Sequence, residues 1–267
     1  MDFLSELFAS GLGYSSIGST RSAISAYHDP IDGISVGEHP RVSSLMSGVF
    51  NERPPIPKYT FIWDVDVVLA YIRTLPVDDS ISDKLLSYKL VTLLALTAAS
   101  RVSEITNLDI NYLAKSSNLY TFTFSKLSKV WKKGKVAPVL TFKVFEEDSS
   151  LCVCRTIDQY LDRTKSRRNG HTQMLLGLIK PHKPVSTSTV SRWLVHFLAS
   201  AGIDTNMFKA HSTRSASTSK ASSVGVSLNE IVKRGQWASD STFKKFYKKD
   251  IIEKDGFQST LQKSGKL

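Results

Sequence analysis

His211-Ser-Thr-Arg214 is followed by Trp237 and then by Tyr247, which ends Ser241-Thr-Phe-Lys-Lys-Phe-Tyr247. Far upstream, Arg101 stands in Ala98-Ala-Ser-Arg-Val-Ser-Glu104, just after a long apolar run. Two guanidinium groups, an imidazole, an indole and a phenol suit one chemistry, in which a phosphodiester is held and then attacked by a phenolic oxygen. Arginine is permanently charged, and its planar fork matches phosphate oxygens two at a time. A phosphorane gathers negative charge on its equatorial oxygens, so fixed cations aimed there lower the barrier. A free tyrosine titrates near pH ~10, so it needs neighbouring cations and a general base to act as a nucleophile. Each residue also has a plainer reading. Tyr247 and Trp237 could be packing residues, His211 a satisfied histidine, and Arg101 the salt-bridge partner of Glu104. The order of the set, with Lys244, Lys245, Lys248 and Lys249 around Tyr247, favours the chemical role.

The elements that must position these groups follow from periodicity. Phe3, Leu4, Leu7 and Phe8 are at helical spacing, broken by Gly11, Gly13 and Gly18, and residues 28–44 read as an irregular loop. Asn51-Glu-Arg-Pro-Pro-Ile-Pro-Lys58 reads as a linker, because its prolines deny it helix. Asp64 caps a helix with Val65, Val68, Leu69 and Ile72 on its inner face, ending before Pro76. A helix over about 80–99, apolar nearly all round, delivers the chain to Arg101, and Val102, Ile105 and Leu108 mark a short helix after it.

Tyr120, Phe122 and Phe124 alternate with polar residues as a strand does, and Val136 to Phe142 returns as a second strand. Lys126, Lys129, Lys132, Lys133 and Lys135 crowd this hairpin, and most are expected to neutralise DNA phosphates. Val153, Ile157, Tyr160 and Leu161 make an amphipathic helix. It runs into Arg163, Lys165, Arg167 and Arg168, which read either as a solvated helix end or as DNA backbone contacts. Ser186 starts a helix with Val190, Trp193, Leu194, Phe197 and Leu198 inward and Gly202 as its stop. Ser227-Leu-Asn-Glu230 is a capping box, and Ser241 or Thr242 is expected to cap the helix that presents Tyr247, with Lys244 and Lys245 facing DNA. The fold class is mainly α with a small antiparallel sheet.

At these positions the chain resembles the tyrosine recombinases of the phage-integrase superfamily, and most of all those encoded by DIRS-type retrotransposons. The likeness runs from Phe3-Leu-Ser-Glu-Leu7 through Tyr14-Ser-Ser-Ile17 and Arg21-Ser-Ala-Ile-Ser25 to Leu93-Leu-Ala-Leu-Thr-Ala-Ala-Ser-Arg101. It continues through Leu151-Cys-Val-Cys154 and Tyr160-Leu-Asp-Arg-Thr164 to Ala210-His-Ser-Thr-Arg-Ser-Ala216. The resemblance implies a shortened helical DNA-binding region at 1–50, a linker at 51–59 and a catalytic domain at 60–267. It implies that Arg101 and Arg214 clamp the scissile phosphate and that Tyr247 attacks it to leave a 3′-phosphotyrosyl link. His211 would assist proton transfer, Trp237 would buttress the phosphate or Tyr247, and Glu104 would support the scaffold. The lysine that protonates the departing 5′ oxygen would be Lys129, with Lys126 as second choice. Four protomers would assemble on two duplexes and exchange C-terminal segments, here beginning at Ile251. Two rival readings stand beside it: a type IB topoisomerase, which uses nearly the same residues but which the sequence outside the active site argues against, and a mobile-element remnant that only binds DNA.

Composition sets the outer bounds. The net charge is +11 over 267 residues, which favours a polyanionic partner, here double-stranded DNA. Three arginines against six acids leave residues 1–55 at −3, so the remainder carries +14 and should hold most of the nucleic-acid affinity. Cys152 and Cys154 lack a second ligand pair for zinc and read as buried free thiols, which favours an intracellular setting, with the nucleus expected. Met1-Asp2 opens without the basic region of a secretion signal, and the apolar run Leu90–Ala99 is half the ~20 residues of a membrane span. Neither a phosphate-binding P-loop nor a carboxylate cluster for Mg²⁺ is apparent, so chemistry without metal, ATP or other cofactor is expected.

Overall fold

A computed structural model describes residues 2–56, 59–127, 131, 133–134 and 136–252. The chain divides into two compact units, Met1–Lys58 and Tyr59–Leu267. The first holds three helices, α1 (Asp2–Ala9), α2 (Tyr14–Tyr27) and α3 (Pro40–Glu52), around Leu4, Ile17, Val42, Met46 and Val49. Two expectations fail here. Gly18 does not break the helix but lies inside α2, where a side chain would meet the Met46 methyl of α3 at an ordinary 3.8 Å. Residues 40–44 are helix rather than loop, because Pro40 opens α3 at the one position where its missing N–H costs nothing.

The larger unit begins with β1 (Phe61–Ile62) and α4 (Val65–Arg73), whose cap Asp64 accepts from the Asp66 N–H at 3.1 Å. Ser82 caps α5 (Asp83–Ala98), the central helix, buried along Leu86, Leu90, Val91, Leu93, Leu94 and Ala95. A helix buried on most sides must be largely apolar, as its second half is. After α6 (Val102–Thr106) come β2 (Leu113–Lys115), β3 (Leu119–Thr123) and β4 (Val139–Lys143) in one antiparallel sheet of order β2-β3-β4. Phe122 faces Leu140 and Tyr120 faces Phe142 across it, with Phe122, Leu140 and Phe142 buried in the core. The returning strand starts at Val139, three residues later than its apolar pattern suggests, and β2 is a third strand that the pattern does not reveal.

Against α5 pack α7 (Val153–Thr164), α8 (Thr187–Ser200) and α9 (Ser212–Ser223). The chain closes with α10 (Leu228–Arg234), α11 (Asp240–Phe246) and β5 (Asp250–Ile251). Ser239, not Ser241 or Thr242, takes the cap position of α11. β5 pairs in parallel with β1, Ile62 beside Ile251, and so ties the chain after Tyr247 to the chain before α4. The Cys152 and Cys154 thiols are both buried and free. Among the described residues no helix is long and apolar enough to cross a membrane.

Candidate active site

Arg101 is placed by the way α5 stops. Ala99 adopts the left-handed conformation at φ 48°, which breaks the helix and turns its carbonyl toward α9. Two residues on, Arg101 occupies the cap position of α6, and its N–H donates to Glu104 Oε2 at 2.8 Å. Its Nη1 lies 2.5 Å from Glu104 Oε1, with the carboxylate side chain 2% exposed and the arginine 18%. The salt bridge expected as the plainer reading therefore forms. It also fixes the guanidinium at the protein surface, so the two readings are compatible.

Arg214, on the first turn of α9, is 1% exposed. Its Nη1 donates to the Ala99 carbonyl at 2.9 Å and its Nη2 to the Gly235 carbonyl, while Nε is buried without a partner. Its guanidinium carbon lies 4.5 Å from the Trp237 ring centre and 5.2 Å from that of Tyr247. Burial, and then the like charge of Arg101, pull its pKa down to about 10. Two cations that repel one another with a single carboxylate nearby make a seat for an anion.

Trp237 follows Gly235, at which a side chain would fall 2.3 Å from the indole, and Gln236, at φ 52°. The indole packs on Phe243 and Tyr247 with ring centres 5.4 and 4.5 Å away, and its Nε1 is buried without a partner. Tyr247 stands just past the end of α11, half-buried. Its hydroxyl is 3.5 Å from Nε2 of His211, the exposed residue that caps α9. Ser219 holds the tyrosine backbone by donating to its carbonyl at 3.1 Å and accepting from the Lys249 N–H at 3.0 Å. Arg101, Gln236, Trp237 and Tyr247 line one open concavity of about 1310 Å³. Arg214 lies behind the two aromatic rings rather than on that wall, which departs from a cradle with both guanidinium groups in the open.

Residues 67–251, most of the larger unit, match the sequence model of the phage integrase family. The chain belongs to that family. The fold agrees. The XerH site-specific recombinase, in a post-cleavage complex with palindromic difH substrate, superposes with a TM-score of 0.64 at 13% identity, over 99% of this chain and 70% of that one. The Tn1549 transposon integrase, residues 82–397 with circular intermediate DNA, gives 0.55 at 12% identity over 98% and 82%. A lambda integrase dimer bound to a COC′ core site gives 0.52 at 17% identity over 92% and 62%. A comparison with curated protein sequences found no match.

In this phage integrase family chain, Arg101, Glu104, His211, Arg214, Trp237 and Tyr247 converge although up to 146 residues separate them. The hairpin lysines are less fully described. Lys126 and Lys133 are exposed, whereas Lys129, Lys132 and Lys135 lie outside the described residues. Lys165 is exposed too, and Lys244 pairs with Asp240 at 2.7 Å beside exposed Lys245. Three of the predicted DNA contacts have partners within the chain. Arg163 donates to the carbonyls of Ile81 at 2.7 Å and Asp79 at 2.6 Å, and Arg167 pairs with Asp83. Arg168 is 8% exposed and donates to the carbonyls of Gln173 at 2.8 Å and Met174 at 3.1 Å. The carbonyl partners of Arg163 and Arg168 carry no signal in the sequence. Sequence reasoning also missed Ala99, Ser219 and Gly235, which work through backbone atoms or through the lack of a side chain.

Proposed function

We propose that this chain is a tyrosine recombinase that breaks and rejoins duplex DNA through a 3′-phosphotyrosyl intermediate. The observation that carries the reading is the Tyr247 hydroxyl 3.5 Å from His211 Nε2, with the Arg214 guanidinium against its ring. In the first step the Tyr247 oxygen bonds to phosphorus, the bond to the 5′ oxygen breaks, and His211 takes the phenol proton. Lys129, or Lys126, protonates the departing oxygen. Arg101 holds the phosphate from the concavity, and a movement of the Tyr247 ring opens Arg214 to the same group. The covalent link conserves bond energy, so a 5′ hydroxyl from a second strand reverses the step without ATP or metal.

The solved relatives held on DNA support a duplex as substrate. The +11 charge supports it independently. The Met1–Lys58 unit enters as an accessory DNA-facing region. Four copies would act together, the segment after β5 passing to a neighbour, with the half-exposed Val139 and Phe145 on the concavity wall as its seat. The sequence likeness to DIRS-type recombinases supports integration of a mobile element, in the nucleus, as the setting. A nicked suicide duplex tests the chemistry. A covalent protein–DNA adduct that Tyr247→Phe abolishes is expected. Retardation without an adduct would leave a DNA-binding protein, and relaxation without synapsis a topoisomerase.

A further inference from the structure

A second cavity, of about 440 Å³, opens on the larger unit between the loop after α4, the middle of α5 and the outer face of α7. On its wall is Lys89, the one lysine among the buried residues of α5, 2% exposed. Its ammonium has no hydrogen-bond or ion-pair partner among the described residues. Asp148, whose charge acts on Lys89, is already taken by Arg73 at 2.8 Å and the Ser150 N–H at 3.0 Å. Burial accordingly pulls the Lys89 pKa down. An enclosed lysine whose ammonium reaches solvent only through this cavity, with no partner of its own, presents its charge to an anion that enters there.

The other walls separate into committed and uncommitted groups. Arg163 is bound to Asp79 and Asp83, and Gln159 donates to the Asp78 carbonyl at 2.8 Å. Arg155, on the exposed face of α7, and the Ser149 hydroxyl have no partner among the described residues. We propose that Lys89, Arg155 and Ser149 form a binding site for the single oxyanion group of a small free molecule, apart from the DNA-joining centre. Two cations and a hydroxyl donor match the oxygens of one carboxylate or phosphate group. Asp162, an uncommitted carboxylate on the same wall, disfavours ligands of higher charge. The DNA backbone is a poor occupant, because a lysine this deeply enclosed cannot meet a phosphate held on a duplex. The volume suits a small molecule, whose sites typically span about 300–1,000 Å³.

Calorimetric titration of the full chain with inorganic phosphate, and separately with acetate, tests the site. The wild type is compared with Lys89→Met and Arg155→Gln, so that phosphate bound near Arg101 cancels between them. At least tenfold weaker binding is expected in Lys89→Met and about threefold weaker in Arg155→Gln, with duplex retardation unchanged in both. Without anion, Lys89→Met should melt a few degrees above the wild type, since it removes a buried charge. Tighter phosphate binding would assign a phosphate-bearing ligand, and tighter acetate binding a carboxylate. Equal anion affinity in Lys89→Met, no saturable binding of either anion, or loss of duplex binding in Lys89→Met would each overturn the site. Should Lys89→Met fold poorly, the surface variant Arg155→Gln gives the same readout, and unchanged affinity there refutes the proposal.

Discussion

The Tyr247 hydroxyl lies 3.5 Å from His211 Nε2, and one helix holds both residues. His211 caps α9 at its start, while Ser219, further along the same helix, binds the Tyr247 carbonyl. Phenol and imidazole are thus referenced to a single rigid element, and α9 also carries Arg214.

Ser219→Ala should slow chemistry more than it weakens the fold. It removes the 3.1 Å bond to the Tyr247 carbonyl and leaves the Lys249 N–H unpaired. A loss of about 1 kcal/mol in holding the tyrosine corresponds to adduct formation roughly fivefold slower on a suicide duplex. A wild-type time course would refute the clamp.

Gly235→Ala should destabilise the larger unit by about 1–3 kcal/mol through overpacking. The new methyl would meet the Trp237 ring at 2.3 Å, and the Gly235 carbonyl that holds Arg214 would have to move with it. Urea denaturation measures the cost, and an unshifted midpoint would mean that the indole relocates freely.

Glu104→Ala leaves the Arg101 guanidinium without its partner and the Arg101 N–H without its acceptor. Breaking a largely buried pair costs about 3 kcal/mol. Chemical denaturation should show this, together with weaker duplex retention from a guanidinium no longer fixed. Glu104→Gln, which keeps one acceptor, should fall between the variant and the wild type.

Acid should unfold the larger unit partly through Asp148. Hydrogen bonds from Ser150, and then Arg73, hold its carboxyl pKa down at about 2. Between that value and the ordinary aspartate pKa of ~3.9 the unfolded chain binds more protons than the folded one. Stability from this group is therefore present above pH ~4 and lost as pH falls toward 2. Urea midpoints measured from pH 5 to 2 should fall less steeply in Asp148→Asn than in the wild type.

Arg168→Ala separates structure from DNA contact. It strands the carbonyls of Gln173 and Met174, so melting should drop by several degrees. Duplex affinity per folded molecule should not change. Lys165→Ala, at an exposed neighbour, should leave melting unaltered.

The helices around the site were legible because their signals are local. Asp64, Ser82, Ser186 and Ser227 each accept from a backbone N–H of their own first turn, and α5 reads as a core helix from its composition alone. The two-residue strands β1 and β5 were not legible, since neither is long enough to show alternation and each exists only as the other's partner. Gly18 misled for a related reason. Helix α2 runs through it, with neighbouring Ile17 buried in the core it shares with α3.

The primary structure by itself determined which groups are available: two arginines, an imidazole, an indole and a phenol in a strongly basic chain. It also determined their order and the helices that carry most of them, because side-chain chemistry and helical period are properties of short segments. Only the tertiary structure decided that Arg214 is sealed behind Trp237 and Tyr247 while Arg101 faces the concavity. Only it gave Arg163, Arg167 and Arg168 their partners at Asp79, Asp83 and Gln173. Burial and carbonyl partners belong to distances across the folded chain, and no run of residues encodes such a distance locally.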